Sequence, residues 1–501
     1  MKFYQIAGAC LAACTALTTA AVVPAEPIEK RATSTTSRVA DAACTNGPNT
    51  RACWKNGYSI ATDFDQKFPT TGKTVTQSLE ITNGTCNPDG HGSRLCLLIN
   101  GQYPGPTIRA TWGDLLSITV KNSMQDNGTS MHWHGINAIA SVNLGNGGPP
   151  PNADNMLING TNKNANGGGS YNQVKITSGK KYRLRLINMS VDNYIRVSLD
   201  GHAMQVMTTD FIPCKPFSVN SLLLGIGQRY DVVINANQTA GNYWFRANVA
   251  TDCLSGNNFY GRAIWSYSSV NPGTPTTSAN TQDSVCLEPS QAAPYWVQPV
   301  PSGSFASQID ALDVGLTKAQ VVPNGDAIIV WAINTSSINV AWDHPTLQYV
   351  MEGNTSYPTQ FNVVPTVNEG AWNYVVVQML PNNPPVPHPF HLHGHDFFLL
   401  GQGSGTFSAG SASLNFATPP RRDTATVPGG GWLAIAFNSN NPGTWLMHCH
   451  IAWHVSEGLG VQFLESPSQI TLPDKGQFDS QCSAWNNYYQ TAYWKKDDSG
   501  I

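Results

Sequence analysis

Charge is scarce in this chain. Asp, Glu, Lys and Arg make up 12% of its 501 residues, and the formal balance is only −3, against a usual charged share of about 25%. No basic run or stripe is present, which excludes the electrostatic footprint of a nucleic-acid binder or of a protein held on anionic lipid. Past Val23 no apolar run is long enough to cross a bilayer. Long stretches of helical periodicity are missing too, so a helix bundle is excluded.

What the chain has instead is a succession of short alternating segments between Gly, Pro and Asn turns. Leu116, Ile118 and Val120 alternate with Ser117 and Thr119; Tyr182, Leu184 and Leu186 with Arg183 and Arg185; Ile195, Val197 and Leu199 with Arg196 and Ser198. Further strands are predicted at 230–234, 243–246, 328–331, 374–377 and 432–437. The fold class is therefore all-β, built of β-sandwiches. The length allows three domains at about 150 residues each. Composition puts loose boundaries near 141–151 and in the Pro/Ser-rich stretch 289–304, with a tail after Pro467.

At the N-terminus, Lys2 precedes an apolar, small-residue stretch from Ile6 to Val23. It reads as a secretory signal peptide over residues 1–20, followed by a propeptide, 21–31, removed at Lys30-Arg31. Thr15, Thr18, Thr19 and Pro24 argue against a membrane anchor. Seven N-x-Ser/Thr sequons, at Asn83, Asn127, Asn159, Asn188, Asn237, Asn334 and Asn354, suit a secreted, glycosylated protein. Of eleven cysteines, Cys10 and Cys14 would leave with the signal. Cys44–Cys53, Cys86–Cys96 and Cys253–Cys286 are plausible local disulfides in an oxidising compartment, although sequence alone leaves other connectivities open. Cys214 and Cys482 have no evident partners, and Cys449 stands among histidines.

The histidines are few but concentrated. His448-Cys449-His450-Ile451-Ala452-Trp453-His454 sets a thiol between two imidazoles and brings a third five residues later. Successive side chains of a strand point to opposite faces, so Cys449 would face one way and His448 and His450 the other. In His388-Pro389-Phe390-His391-Leu392-His393-Gly394-His395, His391 and His393 share a face and His388 points away with Cys449. A thiolate with two imidazoles and a weak or absent axial donor is the donor set of a blue-copper electron-transfer site; His388, Cys449 and His454 supply it. The opposite faces offer His391, His393, His448 and His450 for further metal, and His132 and His134 two more imidazoles. Taken alone, His132 and His134 also fit an ordinary core or surface pair. A single tetrahedral zinc suits histidines on both faces of one strand poorly.

These residues resemble the multicopper oxidases, and among them the fungal laccases of the ascomycete type. The resemblance covers most of the chain. It extends to Asn49-Thr50-Arg51-Ala52-Cys53-Trp54, to 98–106 (Leu98-Ile99-Asn100-Gly101 onward), to Gly227-Gln228-Arg229-Tyr230-Asp231-Val232, to Asn441-Pro442-Gly443 and to the ending Asp498-Ser499-Gly500-Ile501. It implies three cupredoxin-like Greek-key sandwiches, here 45–145, 146–295 and 296–480 with a tail at 481–501. It also implies four coppers, phenolic small-molecule substrates, dioxygen as oxidant, an extracellular monomer, and neither nucleic acid nor membrane as partner. Carried over, His388, Cys449 and His454 hold the blue copper. Leu459 takes the axial position, where a side chain without a donor atom favours the reduced metal. His132 and His391 bind the single copper of a trinuclear cluster, and His134, His393, His448 and His450 its coupled pair. Asp210 resembles the pocket carboxylate that takes the phenolic proton, a role that makes chemical sense because a phenol of pKa about 10 is hard to oxidise with its proton in place.

The chain departs from the family in one respect. Laccases carry four His-x-His segments and this chain has three: His132/His134, His391/His393 and His448/His450. The stretch from Val75 to Ala140 is also short, about 65 residues against the roughly 100 of an ordinary sandwich. With the unpartnered Cys482, these shortfalls point to one internal deletion between Ile136 and Gly147. The loss of two cluster ligands predicts weak copper binding at the cluster and poor turnover.

Overall fold

The computed structural model describes residues 58, 62, 67, 69–111, 113–124, 152–321, 327–366, 370–472, 474–492, 496 and 499–501. The signal and propeptide segments, Cys44 and Cys53, His132 and His134, Asn127, Asp498 and the proposed deletion point lie outside them. No helix among the described residues is long and apolar enough to cross a membrane.

Strands dominate. β1 (Thr74–Cys86), β2 (Arg94–Ile99) and β3 (Leu115–Asn122) form one sheet in the order β2-β1-β3. The next unit holds β4 (Asn172–Ile176), β5 (Lys181–Ile187), β6 (Ile195–Leu199), β7 (Met204–Thr209), β8 (Ile212–Val219), β9 (Leu222–Leu224), β10 (Arg229–Asn235), β11 (Asn242–Val249) and β12 (Gly261–Tyr267). They make two sheets, β5-β10-β7-β8 and β4-β12-β11-β6-β9. Their alternating apolar residues (Leu199, Val206, Val232, Ile234) are buried between the sheets, as period-2 patterning requires. All eight strands predicted by alternation are present.

The last unit is the largest sandwich. β13 (Ile309–Val321), β14 (Ala327–Ile333), β15 (Val363–Pro365), β16 (Trp372–Met379), β17 (His388–Leu392), β18 (Phe397–Ser404), β19 (Arg421–Arg422), β20 (Thr424–Val427), β21 (Gly431–Asn438), β22 (Gly443–Cys449) and β23 (Gly460–Glu465) build sheets β14-β13-β16-β21-β18-β19 and β15-β23-β22-β17-β20. Phe390, Phe397, Phe437 and Phe463 are buried between them, each worth about 1.5–3 kcal/mol when fully removed from water. The helices are α1 (Thr346–Met351), α2 (Ala452–Ser456) and α3 (Lys475–Thr491).

The C-terminal region carries a helix, and one cysteine there departs from expectation. α3 runs through the place where the third domain was expected to give way to a tail. Asp474 caps it, accepting from the Gln477 backbone N–H at 2.8 Å, and Phe478, Cys482 and Trp485 are buried along it at the i, i+4, i+7 spacing of one helix face. Cys482, expected to be unpartnered, is disulfide-bonded. Its pairing removes one of the three shortfalls that suggested a deletion. Cys86–Cys96 and Cys253–Cys286 are paired as expected, and Cys214 is a buried free thiol.

Candidate metal centre

The register of β17 against β22 sorts the ligands. Phe390 pairs with Cys449 and His391 with His448; paired residues share a face and neighbours alternate. Cys449 and His388 therefore face the interior of the sandwich, and His391 and His448 the other side. β22 ends at Cys449, so His450 lies just past the strand that was expected to include it; its ring still stays 5.6 Å from that of His448. α2 then turns the chain so that His454 comes back to the sulfur.

On the interior side three donors converge. Cys449 Sγ is 3.5 Å from His388 Nδ1 and 3.6 Å from His454 Nδ1, and the two nitrogens are 3.1 Å apart. The site is dry: Cys449 and His388 are fully buried, and His454 keeps 6% exposure. Burial pushes the His388 pKa down to about 3 and that of His454 well below its ordinary value, with His388 adding to the latter. Both imidazoles are therefore neutral and able to ligate at any physiological pH. Burial pushes the Cys449 thiol up, with Asp192 and Glu457 adding to it, so a thiolate here needs a bound cation. A soft thiolate and two neutral imidazoles suit copper. Leu459, fully buried, lies beside them: its carbonyl accepts from the Cys449 N–H at 3.1 Å and its N–H donates to the His454 carbonyl at 2.9 Å. Trp331, which sequence reading assigned only to a core strand, packs on both imidazoles with ring centroids 4.8 Å away.

On the opposite side four imidazoles gather. His393 and His448 face each other with Nε2 atoms 3.0 Å apart, and His391 lies 4.8 Å from His393 and 5.8 Å from His450 between ring centroids. His391 donates Nδ1–H to the Asp423 carbonyl at 2.9 Å and His448 donates Nδ1–H to the Cys449 carbonyl at 2.9 Å. Each bond places the proton on Nδ1, so that Nε2 is the atom able to ligate. His395, outside this group, instead pairs with buried Glu465 at 2.9 Å.

Asp210 is placed differently from its expected role. Its side chain has no exposure. One oxygen accepts from the Arg229 N–H at 2.8 Å, the other from Arg422 Nε at 3.0 Å and the Thr424 N–H at 3.2 Å. Burial works against the Arg422 charge, but Asp210, Tyr230 and Glu288 outweigh it and hold the guanidinium protonated. Arg229 also grips Asp423 with two bonds of 2.6 Å. Asp210 is thus a strut between the second and last units, with no face open to a phenol. The correction was out of reach of local sequence, because Arg422 lies 212 residues away.

Two carboxylates that sequence reading did not single out act on the Cys449 thiol through their charge. Burial raises Asp192 to about 6; burial raises Glu457 to about 8, opposed by a hydrogen bond from Trp331. At the chain end, Ser499 braces α2, its N–H donating to the Ser456 carbonyl at 2.8 Å and its hydroxyl to Val455 at 2.6 Å.

Comparison with known proteins places these features among relatives. Residues 120–270 and 339–469 match two family models, each described as multicopper oxidase. Laccase-3 of Botryotinia fuckeliana is 40% identical, covering 72% of this chain and 100% of its own length. Laccase-2 of the same fungus is 34% identical over 603 aligned positions that cover all of both chains. The crystal structure of laccase from Botrytis aclada matches with a TM-score of 0.80 at 34% identity, over 90% of this chain and 98% of that one.

Proposed function

The chain belongs to the multicopper oxidase family, with fungal laccases as relatives, and we propose that His388, Cys449 and His454 hold its blue copper and take single electrons from phenols. The observation that carries this is the convergence of those three donors on one face of the β17–β22 pair with four imidazoles on the other. Copper, when bound, supplies one-electron exchange at the Cys449 site and the reduction of dioxygen to water at the histidine side.

The chain's own residues divide the work. His454 keeps 6% of its surface exposed and His388 none, so electrons enter on the His454 side. Cys449 lies between His448 and His450 in sequence, so one peptide step either way links the entry site to the cluster side. Leu459 presents no donor atom, which favours the reduced metal. Ser499, which accepts from the Val340 N–H at 2.9 Å and donates to Ser456 and Val455 of α2, braces the helix that carries His454. His391, His393, His448 and His450 would be cluster ligands, and His132 and His134 would join them, leaving the set two imidazoles short of the family's.

We further infer that this chain lacks the family's second His-x-His segment and turns over poorly. The alignment with Laccase-2 supports this: 603 positions against 501 residues leave about 102 at which the relative has residues and this chain has none. A second reading, a blue-copper electron carrier without oxidase activity, draws on the same shortfall. The N-terminal apolar segment and the exposed sequons at Asn83, Asn159, Asn237, Asn334 and Asn354 support secretion and glycosylation. Asn188 is buried, and its amide donates to Asn193 and Leu224, so it is not among the acceptors.

Copper loading tests these readings together. An intense blue band, fewer than four coppers per chain and little oxygen uptake with a phenol are the expected results. Full copper content with brisk oxygen uptake would overturn the impairment, and a copper-loaded protein without the blue band would overturn the site.

A further inference from the structure

Arg262 is a half-buried guanidinium without a counter-charge. It stands on β12, on the face of the β4-β12-β11-β6-β9 sheet turned away from the sandwich core, whereas Ala263, Trp265 and Tyr267 point inward. Its cross-strand partner on β11 is another cation, Arg246, and like charges set opposite each other destabilise a sheet. Arg246 is neutralised: its Nε and Nη2 donate to the two oxygens of Asp200 at 2.7 and 2.8 Å. Arg262 has no such partner among the described residues. Only its Nη1 donates, to the carbonyls of Gly261 at 2.7 Å and Ala247 at 3.5 Å. Burial, with the Arg246 charge adding to it, pulls the Arg262 pKa down to about 10. The group therefore stays protonated at neutral pH, with Nε and Nη2 unused.

Rings flank it. Tyr260 is 44% exposed, and its ring centroid lies 4.1 Å from the guanidinium carbon. β4 runs parallel to β12 with Asn172 opposite Ala263, which sets Tyr171, one residue earlier, beside Arg262. Tyr171 meets Trp244 of β11 edge to face, with centroids 5.0 Å apart. Lys163 holds its ammonium 5.3 Å from the Tyr171 centroid and makes no ion pair among the described residues. Cations and rings thus alternate across this surface: Lys163, Tyr171, Arg262, Tyr260. In a chain of net charge −3, this is a local excess of positive charge.

We propose that this face binds an acidic polysaccharide, a polymer of uronate units, with the Arg262 fork on a carboxylate and sugar rings laid on Tyr171 and Tyr260. The unused Nε and Nη2 lie on one edge of the guanidinium, the edge that meets both oxygens of a carboxylate in parallel. A uronate chain repeats ring and carboxylate in the same alternation as the surface, and the C–H face of a sugar covers an aromatic ring as other apolar groups do. Sites for small molecules are concave; an open sheet face suits a polymer laid across it. The surface belongs to the second unit and the metal donors to the last, so binding here does not depend on the copper reading.

The test is affinity electrophoresis of the metal-free full chain. Native gels are cast with polygalacturonate, with neutral dextran, with polyglutamate or with no polymer, and each mobility is divided by that of the same variant in the plain gel. Polygalacturonate alone should retard the parent at low salt. Arg262→Gln should raise the apparent dissociation constant about tenfold, and Tyr171→Ala several-fold. Arg262→Lys keeps the charge and loses the fork, so it should bind nearly as poorly as Arg262→Gln. Lys73→Gln combined with Lys181→Gln removes more charge from exposed positions elsewhere and should bind as the parent does. The urea midpoint of Arg262→Gln should equal or exceed the parent's, because a like-charge pair is relieved; a lower one would overturn the reading of Arg262 as unpartnered. A parent that polygalacturonate does not retard, parental binding by Arg262→Gln, or an equal loss in the lysine control would overturn the proposal. Equal retardation by polyglutamate would reduce the effect to charge alone and overturn it as well.

Discussion

A Cβ on Gly227 would lie 2.5 Å from Cδ2 of His450. The second unit thus touches the histidine cluster of the last through a residue with no side chain, held at φ +82°, where L residues are strained. Gly227→Ala must push His450 aside or tear the loop. A loss of about 1–3 kcal/mol is expected, read as an earlier urea midpoint of the metal-free protein. The blue band should survive, since Cys449 faces the other way.

Cys449→Ser should abolish the intense blue band, whatever copper remains. Leu459→Met should keep the band and lower the reduction potential in a redox titration, because a thioether beside the metal stabilises its oxidised form. An unchanged potential would mean that position 459 does not reach the copper.

Asp210→Asn leaves the buried Arg422 guanidinium without the carboxylate that bonds it, whereas Arg229 keeps Asp423. Breaking a buried pair costs about 3–5 kcal/mol, so chemical denaturation should show a loss of that order. The ratio of phenol to ferrocyanide rates in bleaching the blue band should not move. A changed ratio at parental stability would restore Asp210 as the base.

The pH dependence of metal-free stability should have two limbs. Glu457 is raised from 4.5 to about 8, so between those values the folded state holds a proton that the unfolded chain has released. Stability falls as pH rises through this window, by about 1.4 kcal/mol per pH unit for one group. His388 is lowered from 6.5 to about 3. Below 6.5 the unfolded chain takes a proton that the folded site refuses, and stability falls as pH falls. Glu457→Gln should flatten the alkaline limb in denaturation series and leave the acid limb intact.

The grouping of the candidate ligands was legible in sequence because their chemistry and their spacing are both local. A thiol between two histidines, on a strand of period 2, already separates two faces, and the register of Phe390 with Cys449 bears that geometry out. The sandwiches were legible for the same reason. Roles that depend on distant partners were not. Asp210 is one aspartate in a loop; only Arg422 from β19 reveals it as a strut. Trp331 looked like any apolar strand residue until two imidazoles packed on its ring. α3 was missed because Gln, Asn, Ser and Tyr dilute its periodicity, although Phe478, Cys482 and Trp485 carried the signal.

The ionic strut from Asp210 and Arg229 to Arg422 and Asp423 has a consequence for how such proteins can be recombined. Each half presents buried charges whose shortest ion pairs are made with the other half. A chimera that joined this middle sandwich to a foreign C-terminal one would strand those charges unless its donor carried matching residues. The two sandwiches therefore travel as a single inheritable block, and swaps between homologues should succeed at crossover points before Asn172 far more often than between Tyr267 and Ile309.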